Sequence, residues 1–400
     1  MSNAGRIPAI KGGIPVRRTL LPYGHHSISR QDIQAVVDVL QSDWITTGPK
    51  VAEFEEALAR YVNAKHAVSF SSGTAALHGA TYAAGLKPGD QAITTPMTFC
   101  ATANCVIYRG ATPIFADVRH DTLNLDPQEV EKNINESTRA LIPVDYAGHP
   151  VELDFFRDLA EDNDLVMIED ASHALGAAYK ERRVGGLSDM TIFSFHPVKH
   201  ITTGEGGMVA TDDEELAQRL RIFRNHGIEG DARQRQLNGQ WYYEMVDLGY
   251  NYRLTDIGCA LGLSQLERIN ANINRRREIA LAYKAAFEDL KSITLPIEMN
   301  YGFSSWHLYP IRLNLKELKV GRAEVFAALR AENIGVNVHY IPVHKHPYYR
   351  EQFGYEGGEF PIAEEAYERL ISLPIFHGMT DMDIADVIEA VLKVIRYFSK

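Results

Sequence analysis

Four segments of this 400-residue sequence carry residue types that do covalent and acid–base chemistry. In Phe193-Ser194-Phe195-His196-Pro197-Val198-Lys199-His200 a lysine sits in an apolar stretch, and the Gly-rich Thr203-Gly204-Glu205-Gly206-Gly207 follows it. Most lysines are solvated cations. One held among apolar groups, or beside another cation, has a lowered pKa and becomes a nucleophile toward carbonyl carbon. In Ile168-Glu169-Asp170-Ala171-Ser172-His173 an apolar run ends in two carboxylates, with a histidine three residues past the second. Read alone, Asp170 is a helix cap and His173 a half-buried packing residue. Read as chemistry, an acid at the carboxyl edge of a sheet can hold a protonated ring nitrogen. Ser71-Ser72-Gly73-Thr74-Ala75-Ala76-Leu77 lies between a strand-like run and a helical one. Gly73 permits a tight turn, Thr74 offers a hydroxyl, and the N–H groups of a helix start attract an anion. The same residues also make an ordinary capped turn. The fourth segment, Leu248 to Asp256, sets Asn251 and Arg253 beside Tyr250 and Tyr252 at a helix start; capping and packing explain it equally well.

The order of these segments is more specific than any of them singly. A phosphate-type turn comes first, then a strand-end acid with His173, then Ser194 and Lys199, which follow Asp170 by 24 and 29 residues, then a Gly-rich turn. That order supplies what pyridoxal 5′-phosphate needs: a lysine for its aldehyde, an acid for its pyridine nitrogen, donors for its phosphate and an aromatic face for its ring. Phe99, in Pro96-Met97-Thr98-Phe99, is a candidate for that face; packing in the core is the simpler account of the same residue.

The elements that must hold these groups follow from hydrophobic pattern. Short runs apolar on both faces occur at 67–70, 92–95, 113–116, 140–144, 165–168, 191–194 and 207–210, spaced widely enough for crossover helices. They predict an α/β fold with a large, mostly parallel sheet whose ligands bind beyond the carboxyl ends of the strands. Residues 255–290 read as one long helix begun by a Thr255 cap. Beyond it, 306–313 and 335–343 read as strands, and 323–331 and 382–395 as helices. The expected division is an N-terminal arm and cofactor-binding domain over 1–270 and a smaller α+β domain over 271–400.

Composition bounds the rest. The formal charge of −11 argues against general nucleic-acid binding and against a cationic, membrane-type surface, yet leaves room for a local anion site. Three cysteines (Cys100, Cys105 and Cys259) make neither a disulfide framework nor a zinc site, so no metal is expected and a reducing, cytoplasmic compartment is. No 18-residue apolar run suggests a membrane span, and Arg17-Arg18 is not followed by the apolar run of a secretory signal.

With these residues in view, the chain resembles the DegT/StrS family of pyridoxal-phosphate sugar-nucleotide aminotransferases over about residues 20–398. The signatures are Tyr23-Gly24-His25-His26-Ser27-Ile28, Trp44-Ile45-Thr46-Thr47-Gly48-Pro49, Ser72 to Leu77, Glu169 to Ala174, and Ser194 to Lys199. Asp145-Tyr146-Ala147-Gly148 and His307-Leu308-Tyr309-Pro310 point, within the family, to the subgroup that aminates C4 of a UDP-4-keto-6-deoxy-HexNAc sugar in pseudaminic acid biosynthesis; His200 stands where proline is commoner there.

The resemblance implies an aspartate-aminotransferase-like fold of type I, and catalytic residues Lys199, Asp170 and His173. Lys199 would carry pyridoxal phosphate as an aldimine, with pyridoxamine phosphate formed from L-glutamate. Asp170 would meet the pyridinium nitrogen, His173 the phenolic oxygen and Phe99 the ring. Ser72, Gly73, Thr74 and Ser194 would bind the cofactor, with Asn251 reaching the phosphate from a neighbouring subunit of a homodimer. Tyr23, Ile45, Thr46, Thr47, Gly48, Arg253, Asn337, Val338, His339 and Tyr340 would touch substrate. The alternatives are amination of another nucleotide-linked 4-keto or 3-keto deoxysugar, of perosamine or bacillosamine type, or a non-catalytic pyridoxal-phosphate-binding protein. A dehydratase of the same family carries histidine in place of the lysine, and Lys199 argues against it.

Overall fold

The computed structural model describes residues 7–230 and 232–400. Seven strands form the central sheet: β1 (His66–Phe70), β2 (Gln91–Thr94), β3 (Thr112–Phe115), β4 (Thr138–Ile142), β5 (Val166–Asp170), β6 (Met190–Ser194) and β7 (Gly207–Thr211). Their spatial order is β1-β7-β6-β5-β4-β2-β3. All neighbours are parallel except β7, which runs antiparallel to both β1 and β6. The expected mostly parallel α/β sheet is therefore present, with each of the seven apolar runs on a strand. The carboxyl ends of β1, β5 and β6 consequently share one edge, and that edge carries Ser71-Ser72, Asp170 and Ser194.

The strands read as continuous apolar runs because helices cover both faces. Helix α1 spans Arg30–Leu40, α2 spans Pro49–Val62, α3 spans Gly73–Ala83 and α4 spans Ala101–Tyr108. Helix α3 is buried from Ala75 to Ala83, and small residues let it press close to the sheet. The side chain of Ser72 caps it by accepting from the Ala75 N–H at 3.1 Å.

The periodic run 255–290 is two helices rather than one: α5 (Asp256–Leu266), capped by Thr255 as expected, and α6 (Ile269–Phe287). Arg268, between them, leaves helical geometry at φ −106°, ψ 3°. The break lets Arg268 reach the fully buried Asp32 at 2.6 Å, where Ser264 and Gln265 also donate. An unpaired buried carboxylate would cost far more than a broken helix.

The C-terminal third builds a second core on a three-stranded antiparallel sheet of β8 (Ile293–Thr294), β9 (Tyr309–Leu313) and β10 (Leu370–Leu373), in the order β8-β9-β10. Helices α6, α7 (Arg322–Ala331) and α8 (Asp381–Phe398) supply the apolar cover. The residues just after 7 belong to this layer too. Glu332, fully buried, accepts from the N–H groups of Ala9 and Val16 and from Lys393.

Two expected strands are shorter or absent. The run 306–313 becomes a strand only at Tyr309, because Trp306 has φ 49° and Arg276 claims the carbonyls of Trp306 and His307. The run 335–343 is not a strand: Asn337 pairs singly with Ser372, and the Asn337 carboxamide takes the next N–H for itself. Val336 and Val338 pack into apolar clusters instead of a ladder, and Asn337 and His339 bond each other between them.

Candidate active site

Lys199 lies on the turn after β6, which Phe195 ties back to the Gly-rich segment through its N–H to Gly206 and its carbonyl to Thr203. The residue keeps some surface open to solvent, yet its amine lies deep among other groups. Burial lowers its pKa to about 7, with Asp170 pulling it up and Arg276 pushing it down. An amine with that value is substantially neutral near pH 7 and so is a nucleophile and a base. Its Nζ meets Nε2 of His307 at 3.5 Å.

Asp170 ends β5 and is only 4% exposed. No helix follows it, so it is not a helix cap. One carboxylate oxygen accepts from the Ser172 N–H at 3.1 Å; the other accepts from the Thr102 hydroxyl at 2.7 Å, which in turn meets Thr98 at 2.8 Å. His173 is buried, and its Nε2 meets the Tyr340 hydroxyl at 2.9 Å. Burial first, then Lys199, His339 and His200, hold His173 well below the ordinary imidazole value. Burial first, then Lys199, His173, His200 and Arg276, hold His307 well below the same value, and burial and Lys199 bring His339 to about 4. The cluster is thus a set of neutral imidazoles around one amine. Nδ1 of His173 and of His307 are buried with no hydrogen-bond partner among the described residues.

The phosphate-type turn meets the same edge. A Cβ on Gly73 would stand 3.0 Å from Ser194 Cβ and 3.1 Å from its hydroxyl, so only glycine leaves this cradle open. Behind it, Gly207 of β7 packs on the Ser72 carbonyl, where a Cβ would come within 2.5 Å. Phe99 is 58% exposed, so it is not a core residue; its ring faces Tyr340 at 6.2 Å.

Tyr23, Asn337, Val338, His339 and Tyr340 also converge here. The ring of Tyr23 lies 5.2 Å from that of His339; the amide of Asn337 meets His339 Nε2 at 3.3 Å, and Ser372 holds the other ring nitrogen at 2.9 Å. Tyr146 donates to the His339 carbonyl. Val338 packs on the apolar cluster around Met97 and Tyr146.

The remaining candidates sit differently. The Ile45–Gly48 loop is fastened to the start of α5, where Asp256 accepts from the Gly48 N–H at 2.7 Å and donates its own N–H to the Ile45 carbonyl, and Thr46 bridges Thr255. Thr47, Gly48 and Arg253 line a cavity of about 480 Å³ whose walls include neither Lys199 nor Asp170. Arg253 donates to Asn225 at 2.7 Å, and Asn251 is exposed. Ser71 donates its N–H to the Tyr252 carbonyl at 2.7 Å, which ties this segment to the phosphate-type turn.

Four neighbours of the site carried no role in the sequence. Thr102 lies in the first turn of α4, and Thr98 in the bend before it, where the two hydroxyls meet. Arg276 lies in an arginine run that reads as a solvated face, yet it is 1% exposed and donates to the carbonyls of Trp306, His307 and Ile375. Nothing local distinguishes His307, which a non-repeating loop brings to Lys199.

The profile of the DegT/DnrJ/EryC1/StrS aminotransferase family matches residues 26–392. The chain belongs to that family. Members and likenesses bear this out along the whole length. The spore coat polysaccharide biosynthesis protein SpsC of Bacillus subtilis is 44% identical over 382 residues, covering 95% of this chain and 98% of its own. Among solved structures, Helicobacter pylori PseC, an aminotransferase involved in the biosynthesis of pseudoaminic acid, superposes with a TM-score of 0.88 at 35% identity, covering 95% of this chain and all of the other. A putative sugar aminotransferase of Streptococcus pneumoniae, solved in its PLP-form, gives 0.88 at 32% identity over 94% of this chain and 99% of its own. DegT/DnrJ/EryC1/StrS aminotransferases depend on pyridoxal phosphate, and the Gly73–Ser194 cradle, the recessed Asp170 and the neutral Lys199 amine fit that group. Among the described residues, no helix is long and apolar enough to cross a membrane.

Proposed function

We propose that this enzyme moves an amino group from L-glutamate to C4 of a UDP-4-keto-6-deoxy-HexNAc sugar, in pseudaminic acid biosynthesis. The observation that carries the aminotransferase chemistry is the meeting of a low-pKa Lys199 with Asp170 and His173 at the carboxyl edge of the sheet. The likeness to PseC supports the substrate. The higher identity to SpsC favours a second reading, another nucleotide-linked 4-keto or 3-keto deoxysugar destined for a polysaccharide. A non-catalytic pyridoxal-phosphate binder has no need of an amine held near neutrality.

Pyridoxal phosphate, when bound, supplies the electron sink for the carbon that loses its proton. Lys199 Nζ would be the group's covalent anchor. Its free amine would be the base that takes the donor's α-proton and later returns one, a role for which a pKa near the working pH is suited and which contributes typically 10²–10⁴-fold. Asp170 holds the proton on the pyridine nitrogen, with Thr102 and the Ser172 N–H fixing its carboxylate. His173 and Tyr340 stand on the phenolic-oxygen side. Ser72, Gly73, Thr74 and Ser194 take the phosphate, and Phe99 covers the ring. Tyr23 and the Asn337–Tyr340 segment face the sugar nucleotide. In this reading the division at 270/271 separates the unit that holds the cofactor from the one that closes over it.

We further infer a homodimer, in which Asn251, Arg253 and the Ile45–Gly48 loop complete the partner's site. An apolar stretch of Trp241, Tyr242, Tyr243, Met245, Val246 and Leu248, each more than half exposed, leads directly into Asn251 and supports it. The buried thiols of Cys105 and Cys259 fit a reducing, cytoplasmic setting.

The test is a side-by-side transamination assay with glutamate and UDP-, GDP- and dTDP-linked keto sugars, including both C5 epimers of the UDP-4-keto-6-deoxy-HexNAc. A preference for the UDP-linked C5-epimerised sugar supports the reading. Turnover confined to a dTDP or GDP sugar moves the enzyme to the second one.

A further inference from the structure

Behind Asp170 lie two more acids, Asp145 and Glu169, both with no exposed surface. Among the described residues no arginine or lysine pairs with either, and none is among the largest influences on them. Glu169 precedes Asp170 on β5, so its side chain leaves the opposite face of the sheet. Asp145 follows β4, and its N–H donates to the Asp170 carbonyl at 3.1 Å. Every oxygen but two is accounted for. Asp145 Oδ1 accepts from the Val151 N–H at 2.9 Å, and Glu169 Oε2 accepts from the hydroxyls of Ser188 and Thr191, both at 2.9 Å. Among the described residues, Asp145 Oδ2 and Glu169 Oε1 are buried with no donor, and each carboxyl counts the other among its hydrogen-bonding groups.

Two ionised carboxylates in contact, sealed from water and without a counter-ion, are not a stable arrangement. One proton between the two orphaned oxygens satisfies both. We propose that Asp145 and Glu169 form a proton-sharing pair of net charge −1, which pins the tips of β4 and β5 and adds negative potential behind Asp170, strengthening its hold on the proton of the cofactor's ring nitrogen. Burial and the neighbouring carboxylate both push Asp145 well above the ordinary range, and burial raises Glu169 against the hydroxyls that lower it, in the direction a shared proton requires. Asp145 and Glu169 are positioning residues, acting through Asp170.

The shared proton does not depend on the functional reading; the effect on the ring nitrogen rests on the role of Asp170 proposed above. Infrared spectra of the cofactor-free protein read the first directly. The wild type should show the carbonyl stretch of a buried protonated carboxyl, shifting in D2O and lost in Asp145→Asn. If Asp145→Asn does not fold, Glu169→Gln serves, because either amide donates to the remaining carboxylate and keeps the single negative charge. Absence of the band in the wild type overturns the proton sharing.

The second half is read by the nitrogen chemical shift of the holoenzyme reconstituted with 15N-labelled pyridoxal phosphate. Wild type and either single amide variant should show a protonated ring nitrogen. The double variant Asp145→Asn/Glu169→Gln keeps the hydrogen bond and loses the charge. It should shift toward the unprotonated nitrogen and lose roughly tenfold in kcat, the size of a one-unit change in proton affinity, with KM for glutamate held. An unchanged shift in the double variant overturns the tuning role. An unprotonated nitrogen in the wild type overturns it together with the role of Asp170, while the infrared band still stands or falls alone.

Discussion

A single carboxylate separates a lysine-bearing turn from an electron sink. Asp170 therefore gives the sharpest residue-scale prediction: Asp170→Asn should cut kcat much more than it weakens cofactor binding, since the amide still fits the pocket but does not hold a proton on the ring nitrogen. Equal rates in steady-state kinetics would make Asp170 only a structural group. Thr102→Val asks a finer question, because it removes the 2.7 Å donor to Asp170 Oδ2 while preserving shape. A hydrogen bond from a hydroxyl to a buried carboxylate is worth about 1.5–3 kcal/mol, so thermal unfolding of the variant should show a loss of that order, with a lower kcat at unchanged cofactor occupancy. That Lys199, Asp170 and His173 lie together was legible in sequence because they follow, in order, two strands of one sheet. Thr102 and His307 were not: their partners lie on other elements, and threonine or histidine in isolation carries no mark of what it touches.

At the scale of elements, the site depends on how closely β7 approaches the Ser72-Gly73 turn. A methyl group at position 207 would fall 2.5 Å from the Ser72 carbonyl oxygen and 2.7 Å from the Gly73 nitrogen, both backbone atoms with little freedom to yield. Gly207→Ala should cost about 1–3 kcal/mol by overpacking and release pyridoxal phosphate during gel filtration; a holoenzyme that keeps its visible absorbance would refute this. All seven strands of the main sheet were readable because two-sided burial leaves an unbroken apolar signature. The break at Glu267-Arg268 was not, because the periodicity of α5 and α6 runs through it and its cause is Asp32, more than 200 residues away in sequence. The segment 335–343 misread for another reason: its valines pack into apolar clusters, and the Asn337 carboxamide takes the backbone N–H that a ladder would use.

Over the whole molecule, the number of buried neutral imidazoles sets the response to acid. His173, His200 and His307 are held well below 6.5, and His339 and His377 at about 4, chiefly by burial. The native state then binds fewer protons than the unfolded chain between about pH 6.5 and 4, so stability falls as pH drops through that window. Asp145 and Glu169, shifted upward, act in the opposite sense, but they share one site against five. The melting temperature of the cofactor-free protein should decline steadily from pH 6.5 to 4; a flat profile would mean the cluster is hydrated or protonated in the native state. The overall charge of −11 takes no part in this local balance, which gathers Lys199, Arg276 and the histidines in one place.

Transfer of labelled nitrogen tests the central claim most directly. The enzyme, loaded with pyridoxal phosphate, is given 15N-glutamate and a UDP-4-keto-6-deoxy-HexNAc sugar, and the products are read by mass spectrometry beside the Lys199→Ala variant. The account predicts 15N on C4 of the sugar and one 2-oxoglutarate per amine, with neither formed by the variant, which also lacks the visible cofactor band. Turnover retained without Lys199, or no label entering any keto sugar of the UDP, GDP or dTDP series, would contradict it.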